Sequence, residues 1–288
     1  MTHEELILRK EAIVREYGPW TAHNIRLPNE LWTLRAEDEP MSRIRSRRYL
    51  QIVSDLLRRP IAELRVLDLG CLEGGFSIEF GLWGAEVVGI DGRKANIAKA
   101  EFARDALNLQ NVTFIQNDIR TLCPEIHGYF DVILCLGVFY HLPSLDLIPF
   151  LRKLRSVCKN LCIIDTHISL MPEETFMSEK IEWKGRTFLE HRRSATPKQI
   201  EGALWAALTN EDSFWLTEAS LLRALHYADF TSVHECLHPP VASTPKDRKT
   251  YIACAGTDMT PKGMCPREKM QPFEYSHYEE GEDPLQKK

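Results

Sequence analysis

Val66-Leu67-Asp68-Leu69-Gly70-Cys71-Leu72-Glu73-Gly74-Gly75 joins a short apolar run to a glycine-rich turn. Arg65 to Leu69 has the length and composition of a buried strand, Gly70, Gly74 and Gly75 free the backbone, and Phe76 to Phe80 restarts an apolar pattern suited to a helix. Such a turn can seat a nucleotide-like ligand. A residue without Cβ reaches positive φ and lets a ligand approach the main chain over a helix N-terminus. Plain packing uses the same arrangement in α/β proteins, so its meaning rests on what the flanking chain supplies.

Outward from this stretch, strand and helix signals alternate. Strands are expected at 65–69, 86–90, 112–116, 130–135 and 160–165, with helices at 74–82, 94–107 and 146–158. That rhythm predicts an α/β fold, a doubly wound, mostly parallel sheet with helices on both faces, whose ligands bind beyond the carboxyl ends of the strands. Gly70, Asp91, Asp118, Leu136-Gly137 and Thr166-His167 all follow predicted strands. A helix at 218–228 and strands at 231–236 and 250–255 can complete the sheet. The chain divides into an N-terminal cap (1–60), a core (61–168), an insertion or lid (169–214), a segment completing the core sheet (215–256) and a tail rich in Pro, Lys and Glu (257–288). The cap opens with an amphipathic helix at 4–17 ending at Gly18-Pro19, and a loop from Trp20 to Pro28 follows, placed to cover a site. Arg43, Arg45, Arg47 and Arg48 precede a helix at 49–57 and read as a solvated face, with a nucleic-acid or phosphate role as the lesser alternative.

Composition bounds the function. Among 288 residues, 44% are hydrophobic and 27% charged, the balance of a soluble globular chain. A net charge of −5 argues against a nucleic-acid partner. The eight cysteines form no CxxC pair, and Cys71, Cys135, Cys158 and Cys162 fall in or beside apolar runs, as buried reduced thiols do. A cytoplasmic setting is therefore expected. The first residues lack a signal-like apolar core, and no apolar run approaches membrane-spanning length.

Read in order, these motifs resemble the class I S-adenosylmethionine-dependent methyltransferases over residues 64–167. Asp68-Leu69-Gly70-Cys71-Leu72-Glu73-Gly74 looks like that family's first motif, except that Leu72 stands where a glycine is common. Gly89-Ile90-Asp91 is similar to the second motif, about 20 residues on, where a carboxylate accepts from both ribose hydroxyls. Asn117-Asp118-Ile119 resembles the adenine-contacting position, and Phe130 to His141 the fourth motif, with Leu136 and Gly137 facing the methionine part of the cofactor. The resemblance implies a Rossmann-like sheet of seven strands, the last antiparallel, and S-adenosyl-L-methionine as cofactor. Asp68 suits a cationic cofactor better than NAD. Leu72 must hold negative φ or bear strain.

Methyl transfer to a hydroxyl needs alignment and a base. His141, after the fourth strand, and His167, after Asp165-Thr166 at the fifth, are the base candidates, with Tyr140 beside His141 a third candidate catalytic residue; a structural role satisfying loop carbonyls is the plain alternative for each histidine. The spacing of His141, Asp165 and His167 matches no metal signature, so no metal is expected. Trp20, His23 and Trp32 of the cap, with Trp183, His191, Arg192, Trp205 and Trp215 further on, are candidates to wall a small polar or sugar-like acceptor, or else are lid core. The reading is a small-molecule methyltransferase, O-methylation before N-methylation. Gly137 to His141 also resembles a tRNA wobble-uridine carboxymethyl transferase locally. A tRNA-modifying enzyme and a catalytically silent cofactor-binding module are the alternatives.

Overall fold

The computed structural model describes residues 2–35, 41–171, 174–237 and 245–256. The expected tail and the side chain of Arg43 lie outside the described residues. From the N-terminus, α1 (His3–Tyr17) and α2 (Met41–Leu57) precede β1 (Arg65–Leu69), α3 (Gly75–Leu82), β2 (Glu86–Asp91), α4 (Lys94–Ala106), β3 (Val112–Gln116), α5 (Pro124–His127), β4 (Phe130–Leu136), α6 (Ser144–Val157) and β5 (Cys158–His167). An insertion supplies β6 (Glu174–Ser178), β7 (Ile181–Leu189), α7 (Pro197–Gly202) and β8 (Asp212–Leu216). Then α8 (Glu218–Tyr227), β9 (Ser232–Glu235) and β10 (Arg248–Cys254) follow.

Seven strands form one sheet in the order β3-β2-β1-β4-β5-β10-β9. The first five are parallel, and β10 runs against both its neighbours, as expected of the last strand. The central strands are apolar on both sides because both faces are covered. From Phe130 to Cys135 every residue of β4 is buried. Side chains of α6 and α8, including Leu147, Leu151, Leu221 and Leu225, cover one face. Tyr49 and Val53 of α2, Ile78 and Phe80 of α3 and Ile97 and Phe102 of α4 cover the other. Strand order reverses between β1 and β4, so their carboxyl ends splay around a crevice, the position where sheets of this kind hold ligands.

The insertion is an antiparallel sheet, β6-β7-β8, whose last strand runs past Phe214 to Leu216. Two departures from the sequence reading have clear causes. β5 extends through His167, beyond the expected end at Asp165, because β10 pairs along it and supplies Arg248 and Thr250 to its carboxylate. Trp20 and Trp183, expected as candidate acceptor walls, are instead core. Trp20 is 2% exposed and packs on Phe102, and fully buried Trp183 packs by Tyr227 of α8. The burial of so large an apolar ring outweighs any gain from exposing it at a cavity wall.

The seven cysteines among the described residues are all unpaired, six of them buried. Among the described residues no helix is long and apolar enough to cross a membrane, and no three His, Cys, Asp or Glu side chains cluster to hold a metal.

Candidate active site

A cavity of about 630 Å³ opens over the carboxyl ends of β1, β2, β3 and β4. Asp68, Gly70, Leu72, Asp91, Asn117, Asp118, Ile119, Leu136, Gly137, Tyr140 and His141 line it; Gly74 and His167 do not.

The glycine turn is shaped by its neighbours. Gly70 lies at φ +65°, and a Cβ there would meet Val138 at 2.9 Å, so a side chain is excluded by both backbone and space. Gly74 caps α3 and packs against Phe114 and Ala100, a structural rather than a lining position. Leu72 takes the strained alternative, φ +48°. It is held there by its own N–H, which donates to Asp91 Oδ2 at 3.0 Å. Backbone strain of this size, about 1–2 kcal/mol, persists where surroundings over-determine it, commonly at functional sites.

Asp91 organises the second strand end. Its Oδ1 accepts from Arg93 N at 2.8 Å and from Asn96 Nδ2 at 3.0 Å, so the carboxylate braces the entry to α4 as well as the turn. Burial still leaves its carboxyl above the ordinary range, despite those donors. Asp68 is more exposed to that penalty, electrostatically speaking. It is 1% exposed and, among the described residues, only Ser77 offers it hydrogen bonds, so burial first, with Asp91 adding to it, pushes its carboxyl up to about 7. A buried carboxylate so poorly compensated beside a cavity is suited to a cation.

At the third strand end, Asp118 is already engaged. Arg120 meets both its oxygens, at 2.6 to 3.0 Å, and also bonds Asp146 and Thr209. Burial alone would raise the Asp118 carboxyl, but Arg120 wins and holds it below its usual range.

The insertion is fastened across the cavity by a residue that carried no sequence signal. Arg93, 4% exposed, donates to the carbonyls of Ile200, Glu201, Ala203 and Ala206, at 2.9 to 3.0 Å. One guanidinium thereby ties together carbonyls at and beyond the end of α7, two of which also accept backbone N–H groups, and sets the 203–210 segment over the ligand space. Trp205, Leu208 and Asn210 of that segment line the cavity.

His141 sits on the turn after β4 and receives a partner from the insertion. Its Nδ1 lies 2.8 Å from Glu190 Oε1 and 2.9 Å from Oε2. Glu190 follows β7, and its Oε2 also accepts from Ala207 N at 2.8 Å. Burial acts to raise the Glu190 carboxyl, yet His141 and the Ala207 N–H overcome it and leave it lowered. A carboxylate at Nδ1 fixes the tautomer with the proton there, so Nε2 is the nitrogen left as an acceptor. Further stitches hold the turn to the insertion. Asn210 Nδ2 donates to His141 O at 2.9 Å and Phe214 N to Leu142 O at 3.0 Å.

His167, by contrast, is packed away from the cavity. It stacks on Trp215 at 4.5 Å and meets the Tyr140 ring edge-on at 4.7 Å. Its Nδ1 is 3.3 Å from Asp247 Oδ2, short of hydrogen-bond alignment. Burial lowers its basicity more than Asp247 restores it. Trp215 thus packs behind Tyr140, and His191 is buried with Nε2 on the Ala207 carbonyl.

The cap closes the remaining side. Glu73, 1% exposed, accepts from the N–H groups of Thr21, Ala22 and His23 at 2.7 to 3.0 Å, and lies 3.3 Å from Lys99 Nζ. His23 Nδ1 accepts from Gly75 N at 2.9 Å, and a Cβ on Gly75 would come within 2.6 Å of the His23 ring. The loop is therefore seated directly on the glycine turn. Arg45, expected on a solvated face, lines the cavity instead, because α2 begins at Met41 and its first turns reach over the strand ends. Glu190, Arg93, Glu73 and Arg248 were not singled out for roles here by sequence reasoning, and Arg45 was read with its run, chiefly as a solvated face.

Comparison with known proteins agrees with the fold. Residues 62–212 match the family described as "Methyltransferase domain". A ubiquinone biosynthesis O-methyltransferase of Acinetobacter baumannii (strain AYE) is 30% identical over 113 residues, 39% of this chain and 47% of that protein. The chain thus matches about half the length of such curated relatives. The N-terminal domain of EvdMO1, solved in the presence of SAH and D-fucose, superposes with a TM-score of 0.67 at 20% identity, covering 89% of this chain and 98% of that one. A 1,6-didemethyltoxoflavin-N1-methyltransferase of Burkholderia thailandensis, solved with S-adenosylhomocysteine, gives 0.52 at 19%, covering 88% and 90%.

Proposed function

This chain belongs to the S-adenosylmethionine-dependent methyltransferase family, and from that premise we propose that it moves a methyl group to a hydroxyl of a small polar acceptor, with His141 as the general base. The observation that carries this reading is the His141–Glu190 contact at 2.8 Å beside the cavity. It leaves an acceptor nitrogen where a hydroxyl proton must go. The O-methyltransferase name of the curated relatives supports an oxygen acceptor.

The residues present fit the cofactor. Asp68, buried and poorly compensated, suits its cationic amino-acid end, with Gly70, Leu136 and Gly137 lining the same part of the cavity. Asp91 keeps capacity on Oδ2 for ribose hydroxyls. Asn117, Asp118 and Ile119 border the adenine position, where the main chain takes the greater share because Arg120 already occupies the Asp118 carboxylate. When bound, S-adenosylmethionine supplies an electrophilic methyl group on a sulfonium. The protein then holds the acceptor oxygen in line, and His141 Nε2 takes its proton while Glu190 stabilises the imidazolium formed. Tyr140, half-buried beside His141, forms a wall for the acceptor.

Calorimetric titration with S-adenosylmethionine tests the premise; no saturable heat at any pH would remove this reading. Asp91→Ala is expected to weaken that binding by about 1–3 kcal/mol through loss of charge-assisted ribose contacts. Unchanged affinity in a folded variant would refute the role.

Asp68 links binding to protons. Its folded carboxyl titrates near 7 against an ordinary 3.8, so the free folded protein retains a proton that the unfolded chain has lost. Its contribution to stability is present below the unfolded value and fades as pH rises through about 7. A cation beside it favours the carboxylate, so binding near neutral pH should release part of a proton and tighten as pH rises. Titrations in two buffers of different ionisation enthalpy would show this as a buffer-dependent heat; equal heats would count against Asp68 as the cation's partner.

A further inference from the structure

Charge is sorted along the cavity. The three lining carboxylates, Asp68, Asp91 and Asp118, stand at the ends of β1, β2 and the turn after β3. At the opposite side, by β4, β5 and β10, stand two guanidinium groups, Arg45 and Arg248. The other two lining arginines are committed elsewhere, Arg93 to four carbonyls and Arg120 to Asp118, Asp146 and Thr209.

Among the described residues, one carboxylate pairs with both. Asp165 Oδ1 accepts from Arg248 Nε at 2.7 Å and lies 2.6 Å from its NH2 as an ion pair, while its Oδ2 accepts from Thr250 Oγ1 at 2.7 Å. Arg45 NH1 stands off from Oδ2 at 3.9 Å, beyond hydrogen-bond reach. The side chains of Arg45 and Arg248 are only 20% and 24% exposed. Among the described residues, these two partly buried cations against one buried anion leave one positive charge at the cavity. Water screens it little, and among the described residues donors on both forks stay open.

The position of this surplus is informative. Arg248 Cζ lies 5.8 Å from the Tyr140 ring centroid, and the His141 ring lies 4.2 Å from the same centroid. Arg248 NH2 is also 3.1 Å from where a Gly137 Cβ would be, at the end of β4. The charge and the base therefore both lie against one aromatic ring, within the reach of a small molecule.

We propose that the methyl acceptor carries an anionic group, most simply a carboxylate, which Arg248 and Arg45 hold while its hydroxyl meets His141. This rests on the methyltransferase reading above and narrows it to acidic hydroxy compounds. The planar fork of arginine matches a carboxylate, and its contact is charge-assisted on both sides. The same chemistry is offered by the amino-acid carboxylate of the cofactor, so the test must tell the two apart.

The small-molecule ultrafiltrate of a cell extract is split on an anion exchanger, and each fraction is incubated with the full chain and methyl-labelled S-adenosylmethionine. Acceptor activity is expected in the retained fraction. With limiting retained fraction, Arg45→Gln and Arg248→Gln should each transfer methyl about 10- to 100-fold more slowly, recover as more of that fraction is added, and bind S-adenosylhomocysteine as the wild type does. Because Arg248→Gln strands the Asp165 charge, the pair Asp165→Asn with Arg248→Gln is measured beside it, and Arg45→Gln, which removes no hydrogen bond, stands independently. Acceptor activity in the flow-through overturns the proposal. So do variants that lose affinity for S-adenosylhomocysteine yet bind decarboxylated S-adenosylmethionine normally, because the arginines would then serve the cofactor. Transfer to neither fraction removes the methyltransferase reading, and this inference with it.

Discussion

His141→Ala is expected to slow methyl transfer by about 10²- to 10⁴-fold, the range set by loss of a positioned general base, while S-adenosylmethionine affinity stays near that of the wild type. The expectation follows from where His141 stands: it lines the cavity, and Glu190 occupies its Nδ1 at 2.8 Å. Added imidazole should restore part of the rate, an effect that a purely structural histidine would not show. Glu190→Gln provides the sharper result. Glu190 Oε2 accepts from Ala207 N, so the oxygen of a glutamine goes there and its NH2 group faces His141 Nδ1. The imidazole must then accept at Nδ1 and carry its proton on Nε2, the wrong tautomer for a base. A loss approaching that of His141→Ala is expected, as for other carboxylate–histidine pairs whose acid becomes an amide. Label transfer to the ultrafiltrate, measured with each variant, checks both. Full activity in either would end the assignment of His141 as the oriented base.

Glu73→Ala should cost about 3–5 kcal/mol of folding stability, the penalty for stranding one member of a buried ion pair. Lys99 is fully buried and Glu73 1% exposed, so the remaining ammonium cannot reach water. Three N–H groups, those of Thr21, Ala22 and His23, lose their acceptor at once. Denaturant unfolding measures the loss, and hydrogen exchange at residues 21–23 should rise as the cap loop leaves the glycine turn. The double replacement Glu73→Gln with Lys99→Met removes both charges and should recover much of the stability, because the stranded ion causes most of the damage. A single variant within about 1 kcal/mol of the wild type, the range typical of exposed pairs, would show that the pair is not sealed from solvent.

The two expectations concern residues that were legible to different degrees. His141 was a candidate from its place after the fourth strand, but nothing in the order of residues separated it from His167. Their neighbours do. Glu190 lies 49 positions away in the chain and meets one ring, while Trp215 and Tyr140 cover the other. Glu73 was quoted at the outset only as part of the turn; its burial depends on Lys99 from α4 and a loop from the cap. Arg45 read as solvated because a run of basic residues usually is, and only the path of α2 across the strand ends brings it inside.

The sequence by itself determined the sheet and the strand ends. Apolar runs of strand length, glycines at the first turn and acidic residues after the next two strands are local patterns, set by backbone sterics and by which faces must avoid water. Hence the parallel core, its seventh strand reversed, and the row Gly70, Asp91, Asp118 and Gly137 around one cavity could all be expected. Tertiary structure alone decided which histidine has a carboxylate partner, which arginines face the cavity and what fastens cap and insertion to the core. Those outcomes depend on pairs far apart in the chain, meeting at 2.6 to 3.9 Å. No periodicity records such a meeting, because the packing of whole elements fixes it and no single segment's preference does.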